Sequence, residues 1–469
     1  MTALLWLRRE LRLHDHPAMQ SALEAGGPVV PVFCFDRALL AGPHRSGPRT
    51  RFLLGSLADL EDSLRRRASR LVLRDGPAEM ELAALARDAG AEAVYATAEV
   101  GPYGRRREAR VREALARKGV ELRLEPGLHV VDDPASIRTA AGAPYTVFSP
   151  YHRRWLAAPR REPLPAPSAL PEVPEAVAGI ELPALTGLGL HDELAEPARG
   201  GERRARALMD RFLAEGGPES YERERNSLAA TGTSRLSPYL HFGCLSAREL
   251  EARVERVPGA EAFTRQLCWR DFYAQVIEAF PANARLEHQE RYRGRIPWRH
   301  DTGLFAAWCE GRTGYPLVDA AMRQLAREGW MHNRARLVAG SFLTKDLGID
   351  WRWGERWFMR LLLDGDEAAN NGNWQWIASV GVDPEPAARR IFNPARQQAR
   401  FDPAGEYVRR HVPELAGVPD RHLGEPWKMP PSVQAQAGCV IGRDYPAPIV
   451  DHAHARREAI ERYRRAGAG

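Results

Sequence analysis

Cysteine is sparse in this 469-residue sequence, and its placement excludes several kinds of protein. The five cysteines (Cys34, Cys244, Cys268, Cys309 and Cys439) are scattered and form no CxxC pair, which argues against a disulfide scaffold, a zinc site or an iron–sulfur cluster. No window approaches the roughly 20 apolar residues of a membrane span. The N-terminus, MTALLWLRRELRLHD, places arginines where a signal peptide needs its apolar run. The reading is a soluble cytoplasmic protein with no membrane partner. There is no GxGxxG fingerprint, so a dinucleotide is not indicated, and there is no internal repeat. His14 and His16 resemble a metal pair only superficially; a loop after the first strand is the simpler reading, and no metal is expected. Nor does charge of one sign dominate. The net charge of +6 admits an anionic partner without requiring one, because Arg-rich helix faces alone would produce it.

What is present is a chain too long for one ordinary core, with 44% hydrophobic and 27% charged residues. Apolar runs at 3–7, 28–35, 70–76, 93–100 and 121–125 alternate with helical patterns at 17–25, 52–67, 78–89 and 105–118. Five strands alternating with helices specify an open, Rossmann-like parallel sheet with right-handed crossovers. Such sheets bind ligands at the carboxyl ends of their strands. Proline is dense between Pro159 and Pro183, which reads as a connector. Beyond Glu202 the pattern is almost wholly helical: 202–215, 246–256, 260–280, 302–310, 316–328, 332–345, 352–363 and 367–378. The expected organisation is an α/β domain over 1–128, a connector over 129–200 and an all-α domain over 201–469. The arginine runs at 65–67 and 105–107 read as solvated helix faces.

Three polar islands interrupt the apolar pattern of the helical part. In GTSRLSPYLHFGCLS (232–246), Gly232, Thr233, Ser234 and Ser237 surround Arg235 just before a helix, a sensible cradle for a diphosphate. A plain N-cap and turn remains open for the same residues. Tyr221 and Arg225 stand just upstream and could close over the same ligand. In RQLCWRDFYAQV (265–276), Gln266, Trp269, Arg270 and Tyr273 fall at helical spacings of three and four and share a face. A Trp flanked by Arg and Gln suits stacking on a base whose polar edge is hydrogen-bonded; a core Trp beside a solvated Arg is the alternative. The stretch from Gly329 to Gly381 is the richest. Asn333, Arg336, Asp364, Asp366, Asn370 and Asn371 demand partners if buried. Arg336 can pair with Asp364, and Asn370 can offer an amide to a ring nitrogen. Trp298, Trp351 and Trp374 could relay electrons if they stand in line, or could simply be core. The combination suggests a helical pocket for a large, flat, polar-edged ligand.

Together these segments resemble the photolyase/cryptochrome family over essentially the full chain. The motifs that carry the resemblance are LRLHDHPA at 11–18, GTSRLSPYL at 232–240, CWRDFY at 268–273, GYPLVDAAMRQL at 314–325, GWMHNRAR at 329–336, DGDEAANNGNWQW at 364–376 and IFNP at 391–394. The resemblance implies an N-terminal antenna domain, a helical domain holding FAD, and light-driven repair of pyrimidine dimers in UV-damaged DNA or light sensing. It implies that Tyr221 and the run Thr233, Ser234, Arg235, Leu236 and Ser237 bind the FAD phosphates and ribityl chain. Asp364, Gly365 and Asp366 would meet the ring system, with Arg336 paired beside it and Asn370 facing N5. Trp374, Trp351 and Trp298 would carry electrons from flavin to surface in that order. Arg225, Gln266, Trp269, Arg270, Tyr273, Asn333, Arg334, Arg390 and Gln397 would face the damaged DNA.

Two departures bear on the activity. Gln266 stands where the best-known cyclobutane-dimer enzymes carry Glu, and Leu337 where Met is usual. The (6–4) enzymes place two His residues where this chain has Asn333 and Leu337, so that reaction ranks lower. The segment from 384 to 394 also differs from the common pattern. GPYGRRRE (101–108) and SGPRTRFLLGSL (46–57) look like the deazaflavin-binding type of antenna domain, which is favoured over folate or FMN. A repair lyase for cyclobutane dimers, acting as a monomer, is the expectation. A cryptochrome-like photoreceptor is the alternative; the short ending after the helical part favours repair.

Overall fold

The computed structural model describes residues 2–230, 232–383 and 385–468; Pro384, which opens the divergent segment, lies outside them. The N-terminal part contains strands β1 (Thr2–Leu7), β2 (Val29–Phe35), β3 (Val72–Asp75), β4 (Ala91–Thr97) and β5 (Glu121–Glu125). They form one sheet in the order β3-β2-β1-β4-β5 with every neighbouring pair parallel. Helices α1 (Pro17–Glu24), α2 (Gly47–Arg65), α3 (Ala78–Ala89) and α4 (Pro102–Ala116) make the crossovers. Both faces of the sheet are covered, so β2 is buried at every position and reads as a continuous apolar run rather than an alternating one.

Helix α2 begins before the apolar pattern does, at 47 rather than 52. Ser46 caps it by accepting a hydrogen bond from the Arg49 N–H at 3.2 Å, and Pro48 sits in the first turn, where a missing N–H costs nothing. The run at 105–107 is not uniformly solvated. Arg107 turns inward, 7% exposed, whereas Arg105 pairs at the surface with Glu278. Arg67 likewise folds back to donate to the Pro167 carbonyl at 2.7 Å. His16 accepts the Met19 N–H as the cap of α1, and His14 meets Glu202 at 2.7 Å.

The proline-rich connector is pinned on both sides: Ile180 N–H donates to Leu73 O, and Glu196 N–H to Arg327 O. It also contains a helix that the sequence pattern does not announce, α5 (Phe148–Ala157), anchored by buried Tyr151 and Trp155. The helical part includes α6 (Glu202–Ala214), α7 (Gly217–Glu224), α8 (Glu261–Ala279), α9 (Pro316–Glu328), α10 (Asn333–Ser341), α11 (Trp351–Leu361), α12 (Glu367–Ile377) and α13 (His452–Ala468). Helix α10 continues through a π-helical turn at Phe342–Asp346. One hydrophobic core joins sheet and helices: Phe52 of α2 packs on Tyr239 and Phe242 at ring distances of 5.1 and 5.3 Å. A second core lies wholly within the helical part. No described helix is long and apolar enough to cross a membrane.

Candidate functional site

The loop between α11 and α12 carries two carboxylates with different fates. Asp366 caps α12: its Oδ1 accepts the Ala369 N–H at 2.9 Å and its Oδ2 accepts Arg9 at 2.6 Å. Arg9 comes from the loop after β1, so the sheet domain reaches directly into this site. Burial alone would raise the Asp366 pKa, but Arg9, His241 and Arg270 outweigh it and hold the group well below its ordinary range. Asp364 accepts Arg336 of α10 on Oδ2 at 2.8 Å. Burial again opposes ionisation, and Arg336 and Ser237 overcome it, so this pKa too is lowered. Its Oδ1 is buried and has no partner among the described residues. Between the two acids, Gly365 lies so close to the Arg49 guanidinium of α2 that a Cβ would stand 2.6 Å from Nη1. A side chain there would have to push the end of that arginine aside.

The run 233–237 approaches the same carboxylate through Ser237. Arg235 has the left-handed φ of 52°, a conformation that costs energy for a residue with a Cβ and that clusters at ligand sites. Its side chain turns outward, to Glu328 at 2.9 Å and over the Trp330 ring at 4.3 Å, which leaves the backbone as the part of Arg235 that faces the cradle. Leu236 is buried, and Ser234 Oγ accepts the Leu236 N–H at 3.4 Å. Gly232 packs on Glu224 of α7, the helix that also carries Tyr221, which rests edge-on against Phe263 at 5.3 Å. A buried, unpartnered carboxylate oxygen, an ion-paired arginine beside it and a strained hydroxyl-bearing turn make a donor and acceptor set that suits a flavin dinucleotide.

Asn370 donates its Nδ2 to the Glu355 carbonyl at 3.1 Å, so the atom it can offer a ring is the Oδ1 acceptor. Behind it, Trp374 is buried, edge-on to Phe358 at 4.9 Å and to Trp308 at 6.3 Å. Trp351 is fully buried, and its indole Nε1 has no partner among the described residues. Trp298 is half-buried beside Tyr463 at 6.2 Å. Trp374 and Trp351 thus lie in the core, and Trp298 is the one of the three that reaches towards the surface.

A pocket on the other side of α12 is lined by Thr146, Phe148, Trp269, Tyr273, Gly372, Trp376, Val382 and Asp383. Phe148 lies flat on Trp269, with centroids 3.7 Å apart and planes 3° from parallel, and so fixes the indole. Gln266 folds its Nε2 back onto the Ala262 carbonyl at 3.2 Å. The shared face expected for 266, 269, 270 and 273 divides in space. Arg270 turns inward to the Leu128 and Leu240 carbonyls, and Tyr273 is buried. Arg390 also lies inside, 3% exposed, paired with Asp383 at 2.7 Å and stacked 4.0 Å over Trp376. It shapes the pocket from beneath. Asn333 is exposed, Arg334 and Arg225 are half-buried and bind Asn226 at 2.7 Å and Glu222 at 3.2 Å, and Gln397 keeps a buried, unpartnered Oε1. Trp376 and Arg9 are not singled out by sequence reasoning. Trp376 is two residues from Trp374 and hence on another face of α12, a helical offset that could have marked it.

The carboxyl end of the sheet holds a separate buried charge network. Arg8 contacts Glu99 at 3.3 Å and Glu108 at 2.8 Å; Arg107 contacts Glu99 at 3.1 Å; Tyr103 donates to Asp36 at 2.5 Å. Burial would raise the Glu99 pKa, yet Arg8 and Arg107 bring it down to about 2. The Nε atoms of Arg8 and Arg107 are buried without partners among the described residues.

Comparison with known proteins agrees with this layout. Residues 3–169 match the family model described as DNA photolyase, and residues 263–465 match the FAD binding domain of DNA photolyase. The deoxyribodipyrimidine photo-lyase of Streptomyces griseus is 44% identical over 463 residues, covering 97% of each chain. A bacterial class III photolyase from Agrobacterium tumefaciens superposes with a TM-score of 0.92 at 34% identity, over 100% of this chain and 98% of that one. A Synechocystis cryptochrome gives 0.89 at 31%, over 98% and 99%. Sheet and helical domain thus recur together along the whole length, and the chain belongs to the photolyase/cryptochrome family, with an FAD-binding domain of the DNA photolyase type.

Proposed function

We infer that this chain is a light-driven DNA-repair lyase that splits cyclobutane pyrimidine dimers. The observation that supports the reading is the pocket bounded by Trp269 and Trp376 on the flank of α12, the helix that also carries Asn370 and Trp374, the residues we assign to the flavin side. A dimer stacks poorly, so turning it out of the duplex costs less than turning out a normal pair. Indoles at the pocket wall return about 1–3 kcal/mol per stacked base. Phe148 keeps the Trp269 plane in place, and Arg390 and Asp383 hold Trp376 from below. Gln266 can donate an amide N–H to the lesion without titrating. Arg225, Asn333, Arg334 and Gln397 supply the polar rim for backbone and base contacts. Bound, fully reduced FAD supplies the excited-state electron that opens the cyclobutane ring. The residues around it would orient the ring: Asp364, ionised beside Arg336, would accept a ring N–H, and Asn370 would offer its Oδ1 acceptor to the ring. Trp374, Trp351 and Trp298 are assigned as the path by which electrons from outside reach the site.

The sheet's carboxyl edge, with its free Arg8 and Arg107 donors, is the place we assign to a second, deazaflavin-type chromophore; reconstitution with deazaflavin, folate and FMN in parallel tests that choice. A cytoplasmic monomer fits the five unpaired, buried cysteines and is checked by sedimentation.

Photorepair tests the main reading. Photoreduced protein is given an oligonucleotide with one thymine dimer under blue light, and a second sample carries the (6–4) product. Restored thymines in the first alone are expected. Repair of the second alone would overturn the assignment of Asn333 and Leu337. Repair of neither, by protein whose flavin still photoreduces, would move the chain to the photoreceptor class. Trp374→Phe should stop photoreduction by an external thiol while sparing repair by enzyme reduced beforehand.

A further inference from the structure

Glu355 is a buried acid that none of the roles above uses. It lies on α11 one turn beyond Trp351, so the two side chains share a face. Its neighbour Gly354 is pressed against the Trp374 ring so closely that no side chain fits there. Glu355 is thus one helical turn from Trp351, next in the chain to the glycine that meets Trp374, and hydrogen-bonded to Asn371 on the helix that carries Trp374. It is 8% exposed, its Oε1 accepts the Asn371 Nδ2 at 3.2 Å, and its backbone carbonyl accepts Asn370.

The nearby cations are occupied elsewhere. Arg352 on the same helix is held by Glu287 at 2.7 Å and Asp350 at 3.1 Å, and Arg356 is exposed. From the elements packed on α11, Arg49 is spent on the Met359 and Leu362 carbonyls, and Lys345 on the Ala378 carbonyl and Ser379. The charged group facing it from α12 is an acid, Glu367. Burial is the main reason that the Glu355 pKa is raised to about 7; the Asn371 hydrogen bond opposes the rise, Glu367 adds to it, and Arg356 and Arg352 pull it down.

We propose that Glu355 is a proton-operated control on electron flow along the tryptophan path: as a carboxylate it stabilises the positive charge left on Trp374 and Trp351 when an electron moves inward, and as a neutral acid it withdraws that stabilisation. The inference rests on the relay assignment made under the proposed function. Each step moves one electron inward and one positive charge outward: Trp374 yields an electron to FAD, Trp351 refills Trp374, Trp298 refills Trp351, and a thiol in solution refills Trp298. Glu355 forms and breaks no bond in these steps. It acts only through the field of its charge, which is strong where water is excluded. It is a tuning residue, not a catalytic one.

The test is transient absorption of tryptophan radicals after a blue flash on the FAD-loaded, oxidised protein, measured across pH. The wild-type yield should rise about threefold or more from one unit below the midpoint to one unit above it, with the midpoint near 7. E355Q keeps the Asn371 hydrogen bond and should give a flat profile at the low yield. A carboxyl infrared band that disappears across the same midpoint, and is absent from E355Q, reads the proton independently of electron flow. Radicals with a flat profile in wild type, or a carboxyl band that does not titrate, would overturn the control while leaving the relay intact. No tryptophan radical in wild type, with photoreduction unchanged in Trp374→Phe, would remove the relay and this inference with it. Because the wild-type profile and band decide the matter, misfolding of E355Q would not spare the proposal.

Discussion

The carboxyl edge of the sheet and the loop between α11 and α12 both bury charge, and they leave opposite atoms unsatisfied. At the sheet edge Arg8, Arg107, Glu99 and Glu108 neutralise one another, and what remains open includes two donors, the arginine Nε atoms, and the Thr97 hydroxyl. At the helical site Arg336 and Arg9 each spend themselves on a carboxylate, and what remains open is an acceptor, Asp364 Oδ1. Buried polar atoms are nearly always paired, so an open one states what its ligand must bring. The sheet edge has donors to offer and the helical site an acceptor. Paired buried charge, by contrast, says little about ligands; both side-chain oxygens of Asp366 are already engaged, by Ala369 and Arg9.

Asp364→Asn should break the helical side of this contrast most severely. It leaves Arg336 without its counter-ion and offers an amide where an ionised acceptor stood, a loss of about 3–5 kcal/mol. FAD retention in equilibrium dialysis should fall by roughly 100-fold or more. The matching Asp366→Asn should lower thermal stability more than FAD affinity, and an equal loss of FAD from both would erase the distinction.

Arg107→Met tests the sheet side. It strips Glu99 of one of two guanidinium partners and should cost about 3 kcal/mol near neutral pH in urea unfolding. Because the Glu99 pKa is depressed, its stabilisation is present above the ordinary carboxylate value of 4.5 and is lost as pH falls towards 2. The variant should therefore show a shallower acid limb than the wild type.

Glu355→Gln acts in the opposite sense. The folded-state pKa near 7 lies above the ordinary 4.5, so the stability tied to this proton is complete below 4.5 and lost as pH rises through 7. The wild type should lose on the order of 3 kcal/mol from this group across that window, and E355Q should not. A wild-type stability curve without that decline would contradict the raised pKa.

Much of this arrangement is legible in the amino-acid sequence. Strand and helix alternate visibly in the first 125 residues because a sheet covered on both faces needs continuous apolar runs, and its helices need one apolar stripe each. The Arg336–Asp364 pair, Asn370 and the three tryptophans stand out because polar groups in a helical, apolar context must find partners. The differences between sequence and structure share one cause. Local pattern starts α2 at 52 and assigns Arg107 to a solvated face, and the resemblance assigns Arg270 and Arg390 to DNA. Tertiary contacts reverse that assignment: Ser46 caps α2 through the turn, Glu99 and Asp383 draw two arginines inside, and Leu128 and Leu240 offer carbonyls to a third.

The sequence by itself determined the two-part architecture, the order of the motifs and the residue types available to a flavin, because periodicity and local hydrogen-bonding chemistry are properties of neighbouring residues. Only the tertiary structure decided which buried atoms stay unpaired, that Arg9 of the sheet domain clamps Asp366 across the chain, and that Phe148 of the connector backs Trp269. Those facts depend on distances between segments far apart in sequence, and satisfaction of a buried donor or acceptor is settled only when every other group has taken its place.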